Sequence, residues 1–146
     1  MRKIVLFSML LLLVVSPVMH AGAAEEAMPA VILDGLAAYK KNGPEAAIKA
    51  WIKGGPMEKK EKESLQYGAS FKEIEEYYGS YRTHHMIKMK EISPSSRFII
   101  LSMDFERGPV FARFLSYKGA KGWLLVSFDF NTKAEVILPS LLLDKD

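Results

Sequence analysis

The sequence predicts an α+β domain in which about three N-terminal helices pack on a curved, four-stranded antiparallel sheet. Apolar residues recur at helical spacing as far as Gly79, and from Tyr81 onward apolar and polar side chains alternate with the period of a strand. The alternating segments are joined by at most four residues, and connections this short make antiparallel hairpins. Helices followed by hairpins indicate a sheet with helices on one face.

Residues 30–41 and the segment that starts at Pro44 are predicted to form the first two helices. In the first helix the apolar residues are spaced roughly by threes and fours. Asn42 and Gly43 end it, because both residue types tolerate left-handed backbone. Pro44 suits the first turn of the second helix, which ends at residues 54–56 (Gly-Gly-Pro).

A third helix is predicted over residues 71–78, and Gly79 ends it. Ser70 and Glu73 have the spacing of a capping box, in which the serine caps the first turn of the helix. The charges of residues 58–63 alternate in sign, and we interpret this stretch as the solvated face of a helix or loop.

The register of the four predicted strands follows from the requirement that one face of the sheet be apolar. A four-residue loop pairs Phe105 with Val110, and a three-residue loop pairs Lys118 with Gly122. The predicted strands are residues 81–92, 97–105, 110–118 and 123–130. The side chains predicted to face the helices are those of Ile99, Leu101, Met103, Phe105, Val110, Ala112, Phe114, Ser116, Leu124, Val126, Phe128 and Phe130.

The opposite, outer face of the sheet carries the predicted interface. In this register Arg113 lies between Ser102 and Ser127, beside an apolar area. An apolar centre with a polar flank is typical of a protein interface, so we expect either a homodimer through this face or cover by the chain's own residues 134–139 or 141–143. The interface candidates are Ile100, Arg113, Leu115, Tyr117, Trp123 and Leu125.

The N-terminus has the order of parts of a secretory signal peptide. A positive start precedes an apolar run that Pro17 breaks, and small residues follow at positions 21–23. The run of about a dozen apolar residues is too short to cross a bilayer, which needs roughly 20. We therefore expect a signal peptide over residues 1–23, a single domain over residues 24–146, and a periplasmic or secreted location.

The amino-acid composition of the chain argues against several classes of function. The chain contains no cysteine, so we expect neither disulfides nor the lipid anchor of bacterial lipoproteins. Without Arg2 and Lys3, 18 Lys and Arg residues stand against 17 Asp and Glu, and this small excess does not argue for nucleic-acid binding. His84 and His85 are adjacent and point to opposite faces of a strand, so they cannot converge on one metal ion. We expect no metal or cofactor.

The order of elements resembles the nuclear transport factor 2-like superfamily, whose members place about three helices against a curved antiparallel sheet around an inner pocket. The resemblance covers roughly residues 30–139 and rests on element order. In many members a strand or hairpin lies between the helices, and none is evident before Gly79. The superfamily includes ketosteroid isomerase-like enzymes, polyketide cyclases and binding domains that dimerise through the sheet. The resemblance implies a dimer and leaves the function open.

Two classes of function remain. The first is a small binding or interaction domain that holds an apolar ligand or a protein partner. The alternative is a small-molecule enzyme of the ketosteroid isomerase or polyketide cyclase type, which needs a base in an apolar pocket. His85 is the candidate base, because even alternation puts it on one face with Ile87 and Met89. The candidate ligand-binding residues are Trp51, Phe71, Tyr78 and His85, although aromatic residues at helical spacing also fit a core.

Overall fold

The computed structural model describes residues 28–138. The signal peptide predicted over residues 1–23 and the apolar residues 141–143 lie outside this range. Three helices, a 3₁₀ helix, four strands and a short final helix follow one another within it. Their bounds are Ala30–Asn42 (α1), Pro44–Ile52 (α2), Pro56–Lys59 (3₁₀), Glu61–Tyr78 (α3), Tyr81–Ser93 (β1), Ser96–Phe105 (β2), Gly108–Gly119 (β3), Gly122–Asn131 (β4) and Ala134–Ile137 (α4).

The strands form one antiparallel sheet in the order β1-β2-β3-β4, and the sheet is curved. Every strand therefore pairs with the strand that precedes or follows it in the chain, as short hairpin connections require. The helices α1 to α3 come before the sheet and share a hydrophobic core with one of its faces. The α+β fold class predicted from the sequence is confirmed.

Helices α1 and α2 are separated by Gly43 alone. The φ angle of Gly43 is 82°, in the left-handed region that glycine adopts without a steric penalty. Its backbone N–H donates to the carbonyl oxygen of Tyr39 at 2.8 Å, which satisfies one of the free carbonyls at the end of α1. Pro44 is the first residue of α2, as predicted.

Helix α3 begins at Glu61, ten residues before the start predicted from the sequence. Ser70 therefore lies inside the helix, and the capping-box prediction is wrong. The N-cap position is occupied by Lys60, and no side chain caps the helix there. The first turns of α3 are mostly solvent-exposed, with Leu65 at 67% exposure, so they lack the apolar period that marks a buried helix face in a sequence.

The β2–β3 hairpin has a tighter turn than predicted. Phe105 pairs with Gly108 instead of Val110, which leaves a two-residue turn. A shift of two residues keeps every side chain on its predicted face, because the side-chain period of a strand is two. The inward-facing sets of β2 and β3 are therefore confirmed, but the cross-strand neighbours differ, and Arg113 lies opposite Ile100.

Strand β4 contains a bulge at Val126. On one side of the bulge Leu115 lies opposite Ser127, and on the other side Ser116 lies opposite Leu125. The extra residue reverses the alternation of side chains between the bulge and the β3–β4 turn. Leu125 therefore faces the helices together with Ser116, and both side chains are fully buried.

The bulge overturns predictions that rested on even alternation along β4. Trp123 lies on the helix side of the sheet, where the Arg97 guanidinium sits 4.6 Å from the centre of its ring. Leu124 lies on the outer face, opposite Tyr117. The assignment of Trp123 and Leu125 to the outer-face interface is therefore wrong, as is the assignment of Leu124 to the inner face.

The helices and the inner sheet face enclose an aromatic core centred on Trp51. The Trp51 ring lies 5.2 Å from Phe114, 5.5 Å from Phe128 and 6.2 Å from Phe71, measured between ring centroids. Its indole N–H donates to the backbone carbonyl of Ile32 at 3.1 Å. The one polar group of this large side chain is thus satisfied, and Trp51 has no accessible surface.

Helix α4 covers part of the outer face. It contacts β3 and β4, and its Ile137 side chain is 1% exposed. Ile100 is fully buried although it points away from the core formed by its neighbours Ile99 and Leu101. Neither Ile100 nor Ile137 belongs to the core between helices and sheet, so the molecule has buried apolar side chains outside that core.

The two edge strands of the sheet are protected in different ways. A Cβ atom on Gly55 would lie 2.4 Å from the carbonyl oxygen of Leu125, so the segment before the 3₁₀ helix packs closely against β4. Strand β1 pairs only with β2 in the part of the chain described here, and its ladder contains three register shifts. Such irregularities, together with Lys88 and Lys90, hinder edge-to-edge pairing with another chain.

Candidate functional site

The interior of the fold is closed at the residues predicted to line a pocket. Trp51 is 0% and Phe71 is 1% exposed, so neither side chain presents a surface to a ligand. Both belong to the hydrophobic core. Tyr78 is half-buried, packs against the edge of the core and lines a surface groove between α3 and β4.

His85 faces away from the core, and the prediction that it looks inward is wrong. It lies opposite Ser102, its side chain is 67% exposed, and its Nε2 atom is 3.2 Å from Oδ2 of Asp104. A register shift at Ile87 breaks the alternation between His85 and Met89, and Met89 packs on the core instead. Because of this one irregular residue, His85 lies outside the apolar environment that a catalytic base of this type requires.

The polar end of the outer face contains Ser102, Asp104 and His85, but not in the order of a catalytic triad. The Ser102 hydroxyl donates to Oδ1 of Asp104 at 2.8 Å, and the other oxygen of Asp104 faces His85. A nucleophilic serine needs the histidine between itself and the carboxylate, since the histidine removes its proton. Here the carboxylate occupies the middle position, so the three residues form a surface hydrogen-bond network.

Arg113 is paired within its own chain. Its Nε–H group donates to Oδ2 of Asp129 at 3.0 Å, and the two residues are directly opposite each other in the β3–β4 ladder. The sequence analysis placed Arg113 opposite Ser127, and the observed register places it opposite Asp129 instead. An ion pair between Arg113 and a second copy of the chain would have to replace this contact.

An apolar strip remains on the outer face beyond the area that α4 covers. Leu115 lies opposite Phe98, and Tyr117 lies opposite Leu124. Tyr117 is 46% exposed, and the other three side chains are half-buried. We call Phe98, Leu115, Tyr117 and Leu124 the outer strip. It retains Leu115 and Tyr117 from the predicted interface and gains Leu124, which even alternation had assigned to the core.

Two tyrosines with raised pKa values lie at the end of the core near the β2–β3 turn. Burial, and after it the Glu75 carboxylate, raises the pKa of Tyr39 well above its ordinary value. Burial, and after it the charge of Asp104, raises the pKa of Tyr81 to about 12. The Tyr81 hydroxyl lies 2.9 Å from Nδ1 of His84. Both phenols are neutral at physiological pH. Tyr81 serves as a packing and hydrogen-bonding group, whereas the buried Tyr39 hydroxyl has no hydrogen-bond partner within the described residues, so Tyr39 contributes through packing.

Two of the grooves on the helical side of the molecule are lined by α3. The first, between α2, the 3₁₀ helix and α3, has a volume of about 450 Å³ and includes Ile52 and Leu65 in its lining. The second, between α3 and β4, has a volume of about 370 Å³ and is lined by the rings of Tyr77, Tyr78 and Phe130. Tyr78 was predicted to bind a ligand in an inner pocket, whereas the groove that it lines lies on the surface.

Comparisons with models of protein families, with curated proteins and with solved structures find no significant match to the chain. No helix within residues 28–138 is both long and apolar enough to cross a membrane. The same part of the chain contains no group of three or more His, Cys, Asp or Glu residues that could hold a metal ion. The outer strip and the two grooves are therefore the candidate functional sites within residues 28–138.

Proposed function

We propose that the mature chain is an exported interaction domain that associates with a second copy of itself through the outer strip. The observation that carries this proposal is the strip itself, a contiguous apolar surface next to the area that α4 covers. Apolar patches left exposed on a folded domain mark interaction sites. The irregular ladder of β1 argues against association through that edge of the sheet, which leaves the outer face as the surface for self-association.

A twofold axis through the outer strip would bring the same four side chains of both copies together. Lys90 lies opposite Phe98 at one side of the strip, and the Arg113–Asp129 ion pair lies at the other. The resulting arrangement, apolar at the centre and charged around it, matches the core and rim of a protein interface. Dimerisation through the sheet is also what the resemblance to the nuclear transport factor 2-like superfamily implies.

The enzyme alternative is less well supported, because the candidate base and the candidate ligand-binding residues do not lie in one pocket. His85 and its Asp104 partner lie on the outer face, whereas Trp51 and Phe71 are buried on the other side of the sheet. A ketosteroid isomerase-like reaction needs a carboxylate or histidine base and hydrogen-bond donors inside one apolar pocket. The proposal is therefore a binding role without catalysis.

Association can be tested by light scattering on residues 24–146 at micromolar concentration. We expect the mass of a dimer, and we expect Tyr117→Glu to weaken association at least tenfold, since burying a side chain of this size contributes about 1.5–3 kcal/mol. Leu65→Glu is the matched control, because it places the same charge at a 67% exposed position on the helical side. A wild-type mass that stays monomeric at all concentrations would contradict the proposal.

Residues 139–146 are the competing occupant of the outer strip, since the described chain ends just after α4. A chain that ends at Leu138 separates the two occupants. If a second copy covers the strip, the truncated chain remains a dimer of unchanged affinity. A full-length monomer that dimerises only after truncation would assign the strip to the chain's own C-terminus.

Export can be tested on the protein recovered from an expressing bacterium. Cleavage after Ala23 would leave Met28, a core residue that is 5% exposed, within the mature chain. Mass spectrometry of the periplasmic or medium fraction should find a chain that starts at Ala24. An uncut chain confined to the cytoplasm would rule out the export part of the proposal.

A further inference from the structure

The groove between α3 and β4 combines exposed aromatic rings with uncommitted polar groups, on the side of the molecule away from the outer strip. Its volume of about 370 Å³ falls within the range of small-molecule sites. Tyr77 is 76% exposed and packs against no other aromatic ring in the described part of the chain. A large aromatic ring left open to solvent at the mouth of a groove is available to stack on a ligand.

Two walls of the groove are fixed by the fold. A Cβ atom on Gly108 would lie 2.5 Å from the Tyr78 ring, so the glycine makes room for that ring against β3. Phe130 is stacked on Phe71 with 4.0 Å between centroids and 22° between the ring planes. Preformed walls reduce the entropy lost on binding, which favours affinity for a small ligand.

Of the four polar side chains other than tyrosine that line the groove, Asn131 accepts a hydrogen bond from the Lys133 backbone N–H at 2.9 Å, and the other three have no partner within residues 28–138. Ser70, Glu73 and Thr132 line it, and none of their side chains makes a hydrogen bond or an ion pair with any other residue between 28 and 138. Glu73 contributes the one charged side chain among the described lining residues. The groove is therefore an aromatic site with a single uncompensated negative charge.

The C-terminal end of α3 adds to this negative potential. Partial negative charge accumulates where a helix ends, and the last turn of α3 contains no basic residue. One cation contacts this end of the helix: the Nη2 atom of Arg107 donates to the carbonyl oxygen of Glu76 at 3.1 Å. The Arg107 guanidinium offsets part of the helix-end charge but does not line the groove.

We propose that this groove binds a small organic ammonium ion. The faces of aromatic rings attract cations, and the attraction is the usual basis for recognition of quaternary ammonium groups. The Glu73 carboxylate neutralises the bound charge, while the Ser70 and Thr132 hydroxyls accept hydrogen bonds from N–H or O–H groups of the ligand. An anion would be repelled by Glu73, and a purely apolar ligand would leave all three polar groups without a partner.

The test is a titration of the mature chain with choline, followed by amide chemical shifts in NMR spectra. The control ligand is 3,3-dimethyl-1-butanol, which has the shape of choline without its charge. We expect choline to shift the amides of α3 and β4 around the groove, and to bind at least threefold more tightly than the neutral compound. Added salt should weaken choline binding and leave the alcohol unaffected.

Two variants locate the interaction. Tyr77→Ala and Glu73→Gln should each weaken choline binding about two- to fivefold, the effect of one exposed cation–π contact or one exposed ion pair. Both positions are solvent-exposed, so the fold should be unaffected. Leu65→Ala, at an exposed position in the first turns of α3 and outside this groove, is the control and should bind choline as the wild type does.

Three results would overturn the proposal: no shifts with choline, equal affinity for choline and its neutral isostere, or equal loss of affinity in Leu65→Ala and Tyr77→Ala. Each is independent of the oligomeric state, so the ammonium site can fail while the proposed dimer stands.

Discussion

At the residue scale, the side chains around two helical glycines determine whether a larger residue would fit at each position. Glycine in a helix interior lowers stability by about 0.5–1 kcal/mol relative to alanine, so each needs a reason. A Cβ atom on Gly35 would lie 1.9 Å from Nε1 of Trp51, whereas one on Gly68 would lie 3.5 Å from Cγ of Glu45. Gly35 therefore leaves space for the Trp51 indole against α1, whereas a methyl group at Gly68 would make only an ordinary van der Waals contact.

We therefore expect Gly35→Ala and Gly68→Ala to change stability in opposite directions. Gly35→Ala should lower the free energy of unfolding by about 2–3 kcal/mol, because the methyl group displaces the Trp51 ring from a packed core. Gly68→Ala should raise it by about 0.5–1 kcal/mol through the gain in helix propensity. Urea denaturation followed by tryptophan fluorescence measures both changes. A change of the same sign in both variants would show that the indole does not pack against α1 in this way.

At the scale of the element, the bulge at Val126 determines which side chains of β4 enter the core. Even alternation over residues 123–130 puts Leu124 inside and Leu125 outside, and the structure shows the reverse. The sequence signals a turn near Gly119 and Gly122, but the predicted three-residue loop that pairs Lys118 with Gly122 is wrong, because Gly119 pairs with Gly122 around two residues. The sequence contains no signal for the bulge, because Val126 continues the apolar run of the two leucines before it.

The two leucines give a direct test of the bulge. Leu125→Ala should lower the free energy of unfolding by about 2–5 kcal/mol, the cost of truncating a fully buried leucine. Leu124→Ala should cost less than about 1 kcal/mol in the monomer, since only part of that side chain is buried. Thermal or chemical denaturation at low protein concentration distinguishes the two. If Leu124→Ala is the more damaging change, strand β4 has no bulge.

At the scale of the whole molecule, the domain has a second, smaller buried region on the outer face. Ile100 and Ile137 are both fully or almost fully buried there, apart from the core between helices and sheet. The last residues described are therefore part of the folded unit. The short helix α4 could not be stable without this contact, because four residues make barely one turn.

We expect the contact at Ile137 to contribute to the stability of the entire domain. Ile137→Ala should lower the free energy of unfolding by about 2–4 kcal/mol, since it leaves a cavity where α4 packs on β3 and β4. The neighbouring Val136 is 50% exposed, and Val136→Ala should change stability by less than about 0.5 kcal/mol. Urea denaturation of the two variants makes the comparison. Equal effects would mean that α4 does not pack on the sheet.

The sequence by itself determined the order of elements and most of their ends. The helical and strand periods on either side of Gly79 depend on local spacing, and the stop at Gly43 depends on local backbone preference. Both kinds of signal lie within a few residues of the feature they predict. The start of α3 was not predictable in the same way, since its exposed first turns, which include Leu65, carry little apolar pattern.

The tertiary structure alone decided which surface each candidate residue occupies. Single-residue irregularities at Ile87 and Val126 put His85 on the outer face and Leu125 in the core, because one extra residue in a strand reverses every side chain beyond it. Long-range packing closed the interior around Trp51 and placed α4 against β3 and β4. The sequence specified an apolar side for each strand, but only the packing of all elements together fixed which side each residue faces.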